Sequence, residues 1–132
     1  MEVQIFGHKK DPATRAAQRF FAERRVTVHF VDFADRWPAA GELKRFAQKF
    51  GVEALVDRDG KAFAERGLRS ARYGEERWLE ILLDDPYLLR LPLARWQHKV
   101  TVGAAEAEWK GWVEAAKAAG TSPAGAKAGA KK

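Results

Sequence analysis

Residues 3–33 read "VQIFGHKKDPATRAAQRFFAERRVTVHFVDF", and this stretch decides the fold. "VQIF" (3–6) is a short β-prone run that ends at Gly7. Asp11 followed by Pro12 is a favoured helix start, because Asp caps the first free amides and Pro suits the first helical position. Ala13, Ala16, Ala17, Phe20 and Phe21 then recur at helical spacing and make one apolar stripe. "VTVHFVDF" (26–33) alternates and is β-branched at its start, as a strand does. Strand, helix and strand at these lengths predict a βαβ unit with a right-handed crossover and parallel strands.

Working outward, a second helix follows Pro38, with Leu43, Phe46, Ala47 and Phe50 on one stripe and Gly51 as its stop. "DRDG" (57–60) is a turn, and "KAFAERG" after it reads as a short helix. "EERWLEILLDD" (75–85) is a helix with its acidic residues in the first turn, where the dipole favours them. Trp78, Leu79, Ile81, Leu82 and Leu83 cover most of its circumference, which predicts burial. "PLARW" (92–96) and "KVTVG" (99–103) form a hairpin turning at Gln97-His98, and a last helix over 104–118 carries Trp109, Trp112, Val113 and Ala116 inward. The order is βα-βααα-ββ-α, without an internal repeat.

Composition narrows the function classes. The chain has 132 residues, 46% hydrophobic and 32% charged, which suits one globular domain over 1–119. No apolar run approaches the ~18 residues a membrane span needs, and "MEVQIFGHKK" lacks the pattern of a secretory signal, so the expected compartment is the cytoplasm. Residues 120–132, "GTSPAGAKAGAKK", have the composition of a disordered basic tail. Half of the net charge of +6 belongs to Lys127, Lys131 and Lys132 there, so the domain itself is only mildly basic and nucleic acid is not the expected partner. Cysteine is absent, which removes disulfides, thiol catalysis and thiolate metal sites. His8, His29 and His98 are scattered and predict no zinc site. "DRDG" lacks the later ligands of a calcium loop. Core packing is expected for Trp78, Trp109 and Trp112, and partial exposure for Trp37 and Trp96.

Four segments together resemble the arsenate reductase (ArsC)/Spx/YffB family. They are "VQIFGHKKDPATRAAQRFF", "LVDRDGKAFAERGL" (55–68), "LLDDPYLLRLPL" (82–93) and "HKVTVG" (98–103). The resemblance implies an α/β, thioredoxin-like fold with a helical insertion and a mixed four-stranded sheet. It makes Pro92, just before the third strand, the candidate for a cis peptide bond, since only X–Pro bonds adopt cis at low cost.

It also implies where chemistry would be. The family pattern has a nucleophilic Cys four positions before an Arg, with a second Cys between them in the Spx branch. In that frame Arg15 matches the Arg, Asp11 stands at the nucleophile position and Thr14 at the second Cys. A carboxylate cannot form a mixed disulfide or a thiol–arsenic bond. The family's later oxyanion-binding arginines fall on Leu91 and Val102, while Arg58 matches its middle Arg and Arg90 lies one position off. Lys9, Lys10, Arg15, Arg58 and Arg90 are therefore the candidate basic rim, with Lys10, Arg15, Arg58 and Arg90 the possible anion-binding set. A protein of this kind would have lost its reductase site. The resemblance then implies a binding or regulatory role, with the C-terminal domain of the RNA polymerase α subunit as the partner suggested by the Spx branch. Residual binding of glutathione or an oxyanion is the alternative.

Overall fold

The computed structural model describes residues 1–36 and 38–119. Trp37 and the basic tail, for which the sequence carries expectations, lie outside the described residues. The chain divides into two compact units, one formed by 1–32 and 91 onward and the other by 33–90.

In the first unit, β1 (Glu2–Gly7) is followed by α1 (Pro12–Glu23) and β2 (Thr27–Asp32). β3 (Leu93–Trp96) and β4 (Lys99–Val102) form the hairpin, and α5 (Glu106–Ala118) ends the unit. The strand order is β2-β1-β3-β4. β1 and β2 run parallel from Glu2↔Thr27 to Gly7↔Asp32, whereas β3 is antiparallel to both β1 and β4. The mixed four-stranded sheet is thus the expected one.

The pleat sends alternate residues to opposite faces, and this sorts the sheet. Val3, Ile5, Ala94 and Trp96 meet Ala17, Phe20 and Phe21 of α1 and Trp109, Trp112 and Val113 of α5 in one core. Trp109 fixes that core chemically. Its ring lies 5.4 Å from Phe21, and its Nε1–H donates to the buried Thr101 Oγ1 at 2.8 Å. Trp96, expected to be partly exposed, is buried at 8% exposure, because its position in β3 points it toward α5, where its ring lies 6.1 Å from that of Trp112. The hairpin turn falls at Gln97, whose φ is +57°. The Leu91–Pro92 peptide is cis.

The second unit is the helical insertion: α2 (Ala40–Phe50), a 3₁₀ turn at Val52–Leu55, α3 (Lys61–Glu65), α4 (Glu75–Asp84) and a 3₁₀ turn at Pro86–Leu88. Gly51 stops α2 with φ +85°, a backbone angle that favours glycine. α4 packs against α2 and the first 3₁₀ turn. Its Trp78, Leu79, Ile81 and Leu82 are buried, whereas Leu83 is half-buried.

Candidate functional site

The loop from β1 to α1 is closed by the chain's own groups. Asp11 N–H donates to His8 O at 2.9 Å, which makes a tight turn of His8–Asp11. Asp11 then takes the extended conformation of an N-cap. Its Oδ2 accepts two hydrogen bonds, from Thr14 N–H and from Thr14 Oγ1–H, each 2.8 Å long. Thr14 is fully buried. It sits against Gly7, where an added Cβ would lie 2.9 Å from Thr14 Cγ2, so the strand end accepts only glycine at this approach without something moving.

This arrangement has a chemical meaning. The free amides at a helix start are an anion seat, by partial charge and by geometry. Here the seat already holds the Asp11 carboxylate. A second anion about 4 Å from it would meet repulsion of about 4 kcal/mol at an effective dielectric of 20. Lys9, Lys10 and Arg15 are exposed around the loop and make no ion pair with Asp11 among the described residues. Arg15 lies one position past Thr14, so it leaves the helix on the solvent side while Thr14 turns inward.

One pairing at these strand ends escaped the sequence reading, which treated the histidines as scattered. His8 Nδ1 lies 3.7 Å from Asp32 Oδ1, with both side chains largely buried. That separation is beyond hydrogen-bond length, although it is close enough for the two groups to feel each other. No local signal points to it, because it depends on the register that ends β1 and β2 together at Gly7 and Asp32 and so brings His8 beside Asp32.

Arg58 and Arg90 belong to the second unit. Arg58 Nη2 pairs with Glu53 Oε1 at 3.1 Å, and its guanidinium lies 5.6 Å from the Phe63 ring and 5.8 Å from the Trp78 ring. It therefore lies over an aromatic floor while the side chain stays exposed. The segments carrying the two arginines are clamped together by Asp57 N–H to Leu88 O at 2.8 Å and Arg90 N–H to Leu55 O at 2.7 Å. Arg90 is exposed. Among the described residues no group of three His, Cys, Asp or Glu side chains is placed to hold a metal ion. None of their helices is long and apolar enough to cross a membrane.

Comparison with known proteins fits this geometry. The sequence model described as the ArsC family matches residues 6–112. The chain is 26% identical over 114 residues to YusI of Bacillus subtilis, covering 83% of this chain and 97% of that one. It is 27% identical over 105 residues to an arsenate reductase of Neisseria meningitidis, covering 77% and 90% of the two chains. Among solved structures, a YffB protein superposes with a TM-score of 0.76 at 19% identity, covering 83% and 96%. An arsenate reductase of Vibrio cholerae superposes with a TM-score of 0.69 at 19% identity, covering 78% and 90%. At those identities the superpositions establish the thioredoxin-like fold alone.

Proposed function

The chain belongs to the ArsC family, and from that premise we propose that it is a non-enzymatic member that binds a protein partner. The cysteine on which thiol-dependent arsenate reduction turns is absent from the whole sequence. The observation that carries the proposal is the self-capped helix start. Asp11 fills the anion seat with its own carboxylate and is held there by both Thr14 donors. An incoming oxyanion meets neither a cysteine nucleophile to attack it nor an empty seat to enter, and an incoming thiol finds no cysteine on this chain to form a mixed disulfide with. The surface around a lost active site then serves recognition, and the likeness to the Spx branch suggests the C-terminal domain of the RNA polymerase α subunit as the first partner to try. Two measurements test this. A glutathione-coupled arsenate reduction assay should show no turnover above the uncatalysed rate, and turnover would overturn the proposal. Calorimetric titration with the isolated α C-terminal domain should show saturable binding, and no heat at high concentration removes that partner.

The second reading, a residual site for glutathione or an oxyanion, is favoured by one fact. Arg15 is exposed and has no hydrogen-bond or ion-pair partner for its guanidinium among the described residues. Titration with glutathione, arsenate, phosphate and sulfate at millimolar concentration decides it. Saturable heat that disappears in Arg15→Ala supports that reading, and its absence disposes of it.

A further inference from the structure

The sheet has two unlike faces. Val3, Ile5, Val28, Phe30, Ala94 and Trp96 turn toward α1 and α5. Their neighbours along the strands point the other way, and near the start of β1 that second face is polar. Gln4 is the register partner of both His29 in β2 and Arg95 in β3, so the three residues stand in a row across three strands. With Glu2 and Gln97 they line a cavity of about 320 Å³. That volume is at the small end of the range that ligand pockets take. The cavity lies at the opposite end of β1 from Gly7 and the Asp11 loop.

The charges in this cavity are held in place, yet they do not neutralise each other. Arg95 is half-buried. Its Nε–H donates to Gln97 O at 2.9 Å, and its Nη1–H donates to Gln4 Oε1 at 3.2 Å. Both acceptors are neutral. Most of the guanidinium's five N–H groups stay available, and no carboxylate pairs with Arg95 among the described residues. Glu2 is bound instead by His29, whose Nε2 lies 2.8 Å from its Oε1. One guanidinium and one carboxylate therefore line the same small space, each oriented by a different partner. Glu2, Gln4, His29 and Arg95 all stand on strands, which hold such groups more precisely than loops do.

We propose that this cavity binds a small zwitterion, a free α-amino acid, with its carboxylate on Arg95 and its ammonium on Glu2. Charge selects that class. A simple anion on Arg95 meets repulsion from Glu2, and a simple cation on Glu2 meets repulsion from Arg95. A molecule that carries both charges gains at both ends. Every lining residue is polar, and the Gln4 amide and Gln97 amide each supply donors and an acceptor, so a small or polar ligand side chain suits the lining. The Glu2 and His29 side chains are 64% and 55% exposed, and charges so open to water bind weakly. The dissociation constant is expected to be on the order of 1 mM.

NMR titration of the full chain with glutamine and with serine tests this. Either should shift the backbone amides of Gln4, His29, Arg95 and Gln97 saturably. Glutaminamide lacks the carboxylate and N-acetylglutamine lacks the ammonium. Each should bind at least about tenfold more weakly than glutamine, because each forfeits one hydrogen bond to a charged group. Arg95→Gln and Glu2→Gln should each weaken glutamine by a similar factor of about ten, with circular dichroism showing the fold intact. The two analogues need no variant, so the proposal stays testable if a substitution disturbs the sheet. No saturable shift at about 20 mM glutamine or serine, well above the expected constant, overturns the proposal. So does glutaminamide or N-acetylglutamine binding as tightly as glutamine, which would make the cavity a site for a single charge.

Discussion

Replacing Asp11 by Ala removes both acceptor contacts at the start of α1. Loss of an N-cap acceptor costs about 1 kcal/mol. The second contact adds to it, because the Thr14 hydroxyl is fully buried and would lose its Asp11 acceptor, at about 1–2 kcal/mol for a stranded buried donor. The expected total is about 2–3 kcal/mol, or a fall in Tm of roughly 8–12 °C for a domain of this size. Urea unfolding followed by tryptophan fluorescence measures it, with the midpoint shifting and the slope unchanged. Asp11→Asn keeps an acceptor at the same place and should cost under about 1 kcal/mol. Thr14→Val leaves the backbone bond to Asp11 intact and should cost about 1 kcal/mol. The double variant D11A/T14V should then be less destabilised than the two single losses added, by about 1 kcal/mol, since valine has no hydroxyl to strand. If D11A unfolds within about 0.5 kcal/mol of the parent, below the effect of an ordinary cap, Asp11 does not hold the helix start and the self-capped site is refuted.

Gly7→Ala should destabilise by about 1–3 kcal/mol, as overpacking does, because the new methyl meets Thr14 Cγ2 at 2.9 Å; thermal melting checks it. Thr101→Val strands the Trp109 indole N–H in the core, and a loss of about 1–3 kcal/mol is expected by denaturant titration. Phe21→Ala empties a fully buried ring site against Trp109 and should cost about 3–5 kcal/mol. Glu53→Gln should change stability by less than about 1 kcal/mol, because the Arg58–Glu53 pair is largely exposed and the aromatic floor under Arg58 remains.

The start of α1 was legible because its signal is local. Asp11, Pro12 and Thr14 are within one helical turn, and a cap needs nothing further away. Trp96 was misread for the opposite reason. A tryptophan at the end of a short strand looks exposed until α5 is known to cover that face of β3. Arg58 was found as a charge, yet its seat above Phe63 and Trp78 joins residues from three segments.

By itself the sequence determined the βα-βααα-ββ-α order, the apolar faces, the capped helix start and the absence of any thiol, since period, capping and composition are properties of neighbouring residues. Tertiary structure alone decided that Asp11 and the buried Thr14 lock together against Gly7, that His8 meets Asp32 across the ends of β1 and β2, and that Trp96 is covered by α5. Those outcomes depend on which strands lie side by side and in what register, and register is set by packing between segments far apart in the chain.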